Sequence, residues 1–182
     1  MSLDGFIAGP NDELDWLDEL DVLEGVDYGY GELMSSVDAL VMGRRTFETV
    51  MGLVEKWPYE KPVMVMSRTL AEVPDRETGC EIFNGSPADV VALAETRGWS
   101  KLYVDGGQLA SSFANDGLLD ELIVSVLPVA LGSGVKVFGA LSDHTWFDHV
   151  STEVFANGMV QQRYRPRKPD VTEREDTAVK GA

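Results

Sequence analysis

Apolar residues fall along this chain in short blocks, each closed by a turn signal. Val37–Met42 is nearly continuous apolar sequence, as a strand covered on both faces requires, and Gly43 ends it. Pro62–Ser67 (PVMVMS) and Lys101–Asp105 repeat that signal, and Glu121–Ala130 extends it. Helices are expected between the strands. Thr46–Met51 is one. Ser86 with Pro87 opens a second, Ser as N-cap and Pro at the first helical position, running to about Arg97 and stopping at Gly98. Gly107–Asn115 is a third, and Asp27–Ser35 a fourth, weakened by Gly29 and Gly31.

The ends of the chain read differently. Met1–Gly9 is a turn at Asp4-Gly5 followed by a short apolar piece, and residues 11–27 form an acidic loop with helical turns. Asn157-Gly158, set between Val154-Phe155-Ala156 and Met159-Val160, is a strong hairpin signal. From Arg167 onward Pro, Lys and acidic residues predict a disordered tail over 167–182, leaving one domain over 1–166. The order of elements predicts an α/β fold of three layers, α/β/α. Its central sheet is mostly parallel, with an antiparallel C-terminal hairpin. The ligand cleft then lies at the carboxyl ends of the parallel strands, where Gly43, Ser67 and Gly106 fall.

Composition narrows the function. The 182 residues suit a single domain, and 44% are apolar, enough for a sizeable core. No apolar run reaches the roughly 18–20 residues of a membrane span, and no signal peptide opens the sequence. The one cysteine, Cys80, excludes an internal disulfide and suits a reducing cytoplasm. A formal charge of −16 repels nucleic acid and anionic membranes, so neither is an expected partner. Scarce lysine beside abundant Asp and Glu fits a high-salt cytoplasm or an ordinary acidic protein equally. One cysteine and two histidines, His144 and His149, make no zinc site of the deaminase kind, and no metal is expected.

Against this acidic background two segments stand out. VMGRRTFE (41–48) takes a strand into a helix through Gly43, Arg44, Arg45 and Thr46, and VDGG (104–107) does the same through Gly106 and Gly107. Helix N-termini present free N–H groups and a positive dipole end to anions. Paired glycines admit a ligand closer than a Cβ allows, and arginine forks fit phosphate oxygens. A phosphate-rich dinucleotide is the matching ligand.

These pieces, with SLDGFIAG (2–9), VMSRT (65–69) and DELIVSVLPVALGSGVKVF (120–138), resemble in order the dihydrofolate reductase-like superfamily. The branch is that close to the reductase domain of riboflavin biosynthesis. The resemblance implies NADPH as cofactor, lying across the strand ends. Arg44, Arg45 and Thr46 then meet the pyrophosphate and the ribose phosphate, and Ser67 and Arg68 form a second clamp. Gly106 and Gly107, joined in the family by a cis peptide, lie beneath the pyrophosphate. Ala8 holds the nicotinamide carboxamide through its backbone.

The folate branch uses one carboxylate on the helix preceding the GRRT strand. By resemblance Asp27 is that proton donor, Ser125 is the hydroxyl bonded to it, and Asp4 and Asp15 are lesser candidates. A carboxylate in an apolar cleft would have a raised pKa, as donation needs. Set against this, seven acidic residues between 12 and 24 make a solvated loop the default surroundings of Asp27.

The implied activity is hydride transfer to a C=N or C=O bond of a heterocycle or its opened ring. The substrate would be pterin-like or of the riboflavin pathway. A non-catalytic nucleotide-binding protein that retains the clamp is the alternative, and the terminal strands offer an edge for a homodimer. In one respect the sequence departs from the family, whose members carry a central strand before the MSLDG-like turn where Met1 stands. The expectation is a start at an internal methionine, the other reading being a sheet without that strand.

Overall fold

The computed structural model describes residues 1–73 and 79–167. The sequence-predicted tail beyond Arg167 lies outside them. Nine strands and four α-helices follow in chain order among these residues. They are β1 (Phe6–Ala8), α1 (Tyr30–Ser36), β2 (Ala39–Gly43), α2 (Arg44–Leu53), β3 (Val63–Met66), β4 (Cys80–Phe83) and α3 (Pro87–Thr96). Then come β5 (Leu102–Asp105), α4 (Gly107–Asn115), β6 (Leu122–Val126), β7 (Val135–Lys136), β8 (Phe147–Val154) and β9 (Val160–Pro166). A single 3-10 turn covers Asp15–Leu17 in the acidic loop.

The heart of the fold is a parallel sheet ordered β4-β3-β2-β5. Its central strand β2 is buried from Ala39 to Met42 because helices cover both faces. Leu40, Met42, Val63 and Val65 pack on one side with Phe47 of α2 and Trp57. Val41 and Met64 pack on the other with Val90 of α3 and Phe113 of α4. Alternation along a strand sends neighbouring side chains to opposite faces, so a doubly covered strand must be apolar throughout. Burying side chains of this size stabilises by about 1.5–3 kcal/mol each, which makes this block the rigid base of the molecule.

A second, antiparallel sheet ordered β6-β9-β8 is built around the Asn157-Gly158 hairpin, and β1 pairs with β7 as a short third element. The three-layer α/β fold with parallel sheet and antiparallel hairpin is thus as expected. The differences are local. The helix after β2 begins at Arg44, not Thr46, because Gly43 takes the N-cap position. β6 ends at Val126, short of Ala130, because Pro128 has no N–H for a ladder. Among the described residues no helix is long and apolar enough to cross a membrane.

Candidate functional site

Strand register brings the conspicuous segments together. Met42 lies beside Asp105 in the β2–β5 ladder, so Gly43 and Gly106 leave the sheet side by side. On the other flank Gly43 pairs with Met66, so Ser67 and Arg68 follow immediately beside it. Gly106-Gly107, Gly43–Thr46 and Ser67-Arg68 therefore form one row along the carboxyl edge of three parallel strands.

Two helices begin in that row, and neither is capped by a side chain. α2 and α4 have Gly43 and Gly106 as N-caps, with no side-chain hydrogen bond at either. α3 differs: Ser86 Oγ accepts from Asp89 N while Asp89 accepts from Ser86 N, a complete capping box. The first N–H groups of a helix have no partner inside it. The capped helix satisfies its own; the two that meet in the row present theirs outward.

The glycine pair is sterically required. Gly106 has φ 102°, and a Cβ there would lie 2.7 Å from Thr46 Oγ1. A Cβ on Gly107 would lie 2.2 Å from the carbonyl oxygen of Val137. The expected cis link is not found: among the described residues every peptide is trans, and the left-handed φ of Gly106 makes the turn. Residues 136–137 lie over Gly107, and Lys136 pairs with Phe6 in β1, the strand that ends at buried Ala8. Ala8 is thereby tied through β7 to the start of α4.

Both arginines stand exposed in the first turn of α2 and hold carboxylates. Arg44 Nη1 donates to Glu48 at 3.0 and 3.1 Å, one turn along the same helix. Arg45 forms a fork on Asp12, its Nη2 reaching both oxygens at 2.7 Å. Asp12 holds a left-handed φ of 66° in the acidic loop. Exposed pairs of this kind contribute about 0.2–1 kcal/mol, so a phosphate can replace either carboxylate. Arg68 is exposed. Ser67 Oγ accepts from Thr69 N (3.2 Å) and Leu70 N (2.9 Å), which leaves its hydroxyl proton for an outside acceptor.

The acid side of the site departs from expectation. Asp27 is exposed, and its two oxygens accept from Gly29 N and Gly31 N at 3.0 Å each. Those bonds hold its pKa below the ordinary carboxylate value, opposite to the shift of a proton donor. It holds the backbone N–H groups of Gly29 and Gly31 at the start of α1. Ser125 does not bond it: Gln161 Nε2 donates to Ser125 Oγ (3.0 Å) and to the Tyr28 carbonyl (3.1 Å). Asp4 accepts from Ser2 Oγ, Leu131 N and Gly132 N, which brings its pKa down to about 2. Asp15 opens the 3-10 turn.

Among the described residues, the carboxyl with the raised pKa is Asp105, the last residue of β5 and immediate neighbour of Gly106. Burial is the main cause, partly offset by bonds from Gly106 N and the Tyr103 hydroxyl. Three tyrosines feel its charge. Burial foremost, then Asp105, raises the pKa of Tyr30, Tyr59 (pushed up to about 12) and Tyr103. A carboxyl sheltered among phenols at a strand end is placed to keep a proton at higher pH than a solvated one. The sequence carried a signal for it: a charged residue closing an otherwise apolar strand, one position before Gly-Gly.

This parallel sheet with helices on both faces and an antiparallel hairpin sheet is the dihydrofolate reductase-like fold. Within it, the chain belongs to the RibD C-terminal domain family, which it matches over residues 1–161. It is 33% identical over 165 residues to the uncharacterized protein YwjB of Bacillus subtilis (strain 168), covering 90% of this chain and 92% of that one. A crystal structure from Shewanella sp. PV-4, of a protein named for riboflavin biosynthesis, superposes with a TM-score of 0.87. It is 37% identical, with 92% of this chain and 96% of that one covered. The diaminohydroxyphosphoribosylaminopyrimidine deaminase/5-amino-6-(5-phosphoribosylamino)uracil reductase of Thermotoga maritima shares the fold at a TM-score of 0.64. At 18% identity, that alignment spans 91% of this chain and 54% of the Thermotoga protein.

Proposed function

We propose that the chain is an NADPH-dependent reductase of the pyrimidine-reductase kind, reducing a C=N or C=O bond in a heterocycle or its ring-opened form. The observation that carries this reading is the pair of uncapped helix starts side by side at Gly43 and Gly106, with two arginine forks beside them. The glycine cradle, which a Cβ would fill, fits the close approach of a pyrophosphate. The name of the Thermotoga protein supplies the substrate class, a ribosylamino-pyrimidine.

When bound, the nicotinamide supplies the hydride. The chain does the rest. N–H groups at the starts of α2 and α4 hold the pyrophosphate, and Arg44 or Arg45 exchanges its carboxylate for the ribose phosphate. The Ser67 hydroxyl donates its remaining proton to the same group. Asp105, the neighbour of Gly106 at the end of β5, keeps a proton and delivers it to the nitrogen or oxygen that gains negative charge, with the Tyr103 hydroxyl orienting the carboxyl.

The test is a fluorescence titration of the full chain with NADPH and NADH, followed by turnover assays on aminopyrimidines and pterins. Tight NADPH, weak NADH and turnover on an aminopyrimidine are expected. Equal affinity for the two cofactors, or binding of neither, overturns the assignment. NADPH binding without turnover on any such substrate leaves a nucleotide-binding protein without catalysis.

A further inference from the structure

α1 is a short helix with little packing of its own. It spans seven residues, Tyr30–Ser36, and none of its side chains is buried. A helix of that length is too short to stand alone in water, so its ends must fix its place. Beyond its last turn, Val37 is buried and leads into β2. At its start the fixing residue is Tyr28.

Tyr28 has a left-handed φ of 53°, and among the described residues Asp12 is the other non-glycine residue in that region. A Cβ disfavours this backbone, so the surroundings must hold it there. The C-terminal hairpin does so. Asn157, between β8 and β9, donates through Nδ2 to the Tyr28 hydroxyl (3.1 Å) and to the Asp21 carbonyl (3.0 Å). The same hydroxyl accepts from Leu23 N at 3.0 Å. Gln161 Nε2, on β9, donates to the Tyr28 carbonyl at 3.1 Å. The rings of Tyr28 and Phe155 meet edge to face with centroids 5.0 Å apart. One strained residue thus ties the acidic loop, the start of α1 and the antiparallel sheet together.

Two positions further on, Tyr30 opens α1. It shares a face with Met34, one turn along, and Met34 packs on the core cluster that also receives Tyr59 and Tyr103. The Tyr103 hydroxyl bonds Asp105, and Tyr30 stands near enough to feel the charge of that carboxyl. Three elements therefore bring a phenol towards Asp105: β5 with Tyr103, the α2–β3 connection with Tyr59, and α1 with Tyr30. Tyr30 is half-exposed and goes where α1 goes.

We propose that Tyr28 is a positioning residue: held by Asn157 and Gln161, it sets α1 so that Tyr30 shelters Asp105. The inference rests on the reading of Asp105 as the proton donor. Once the hairpin lets go, α1 shifts, water reaches the Asp105 carboxyl, and the proton leaves at lower pH. The antiparallel sheet contributes nothing to the row of Gly43, Ser67 and Gly106, yet through Tyr28 it acts on the proton.

The experiment uses the full chain with isotope-labelled aspartate. Nuclear magnetic resonance follows the Asp105 carboxyl through a pH titration, with Asp105→Asn identifying its signal. Tyr28→Phe keeps the ring on Phe155 and loses the hydroxyl. Asn157→Asp keeps a turn-forming residue before Gly158 and loses the donor. Each lowers the Asp105 titration midpoint by about half a pH unit or more, and the two together lower it no further. Tyr30→Ala gives the same fall, and Tyr28→Phe adds nothing to it. Asp27→Asn, whose lost bonds reach no further than Gly31, lowers the melting midpoint and leaves the titration in place. The proposal is overturned if Tyr28→Phe leaves the Asp105 titration unchanged or if its effect adds to that of Tyr30→Ala. It is equally overturned if Asp27→Asn shifts the titration as much, since any loosening of α1 would then suffice. The expected shifts in a chain that turns over no aminopyrimidine or pterin would remove the reductase reading and leave the role of Tyr28 standing.

Discussion

Two aspartates, Asp27 and Asp105, illustrate how surroundings assign chemistry to a side chain. Asp27 accepts two backbone N–H bonds in solvent and is held ionised; Asp105 is sheltered among tyrosines and holds its proton longer. Asp105→Asn keeps the shape and removes the proton. It should lower turnover by about 10²–10⁴-fold with little change in NADPH affinity, and erase the alkaline limb of the pH–rate profile. Unchanged turnover would assign the proton to solvent. Asp27→Asn should instead lower the melting midpoint by loosening the start of α1 and leave turnover intact. A loss of turnover at unchanged stability would restore Asp27 as the donor.

Among the elements, α2 and α4 start without side-chain caps while α3 carries its own. If the open starts hold phosphate, the arginines in the first turn of α2 discriminate cofactors. Arg44→Ala with Arg45→Ala should weaken NADPH by about a hundredfold or more, since hydrogen bonds to charged groups contribute about 1.5–3 kcal/mol each, and NADH far less. Equal losses for both would place the extra phosphate elsewhere. Much of this edge was legible in the sequence, because a glycine closing a doubly buried strand marks both the strand end and the helix start. β2, β3, β5, α3 and α4 were readable for that reason.

β4 was not. Cys80–Phe83 is the outer strand of the parallel sheet, with Glu81 reaching out to Arg97, so it lacks a continuous apolar run. β8 was missed over most of its length because it is an exposed edge strand holding Asp148, His149 and Glu153. The bonds that redirect Asp27 to backbone and Ser125 to Gln161 depend on tertiary placement, which spacing does not encode.

Taken whole, the molecule is a strongly negative body in which several exposed carboxylates accept backbone bonds. The Asp4 pKa falls from 3.8 to about 2, so the folded state keeps this group ionised where the unfolded chain protonates it. Its contribution is fully present above about pH 4 and is lost as pH falls toward 2. Asp27, Asp38 and Asp89 shift the same way. Asp105, raised, acts in the opposite sense: its contribution is greatest below its unfolded pKa and is lost as pH rises through the folded one. A melting series from pH 7 to pH 2 should show the fall below pH 4, and Asp4→Asn should flatten part of it; an unaltered profile would remove Asp4 from the account.

Net charge adds a separate effect. With −16 on the chain, shortening the Debye length from about 10 Å at 0.1 M salt to about 3 Å at 1 M relieves self-repulsion. The melting midpoint should rise with sodium chloride, and a fall would mean that the surface pairs outweigh the repulsion.

The fork between Arg45 and Asp12 has a consequence for what the protein ignores. A tethered carboxylate competes at the millimolar effective concentrations typical of short flexible connections. Dilute acetate or chloride carries a single charge and only matches what Asp12 already offers. A phosphomonoester brings nearly twice the charge and three acceptor oxygens. If Arg45 serves the proposed cofactor, the internal partner sets a threshold: among small anions it stays on Asp12, and only a phosphate group displaces it.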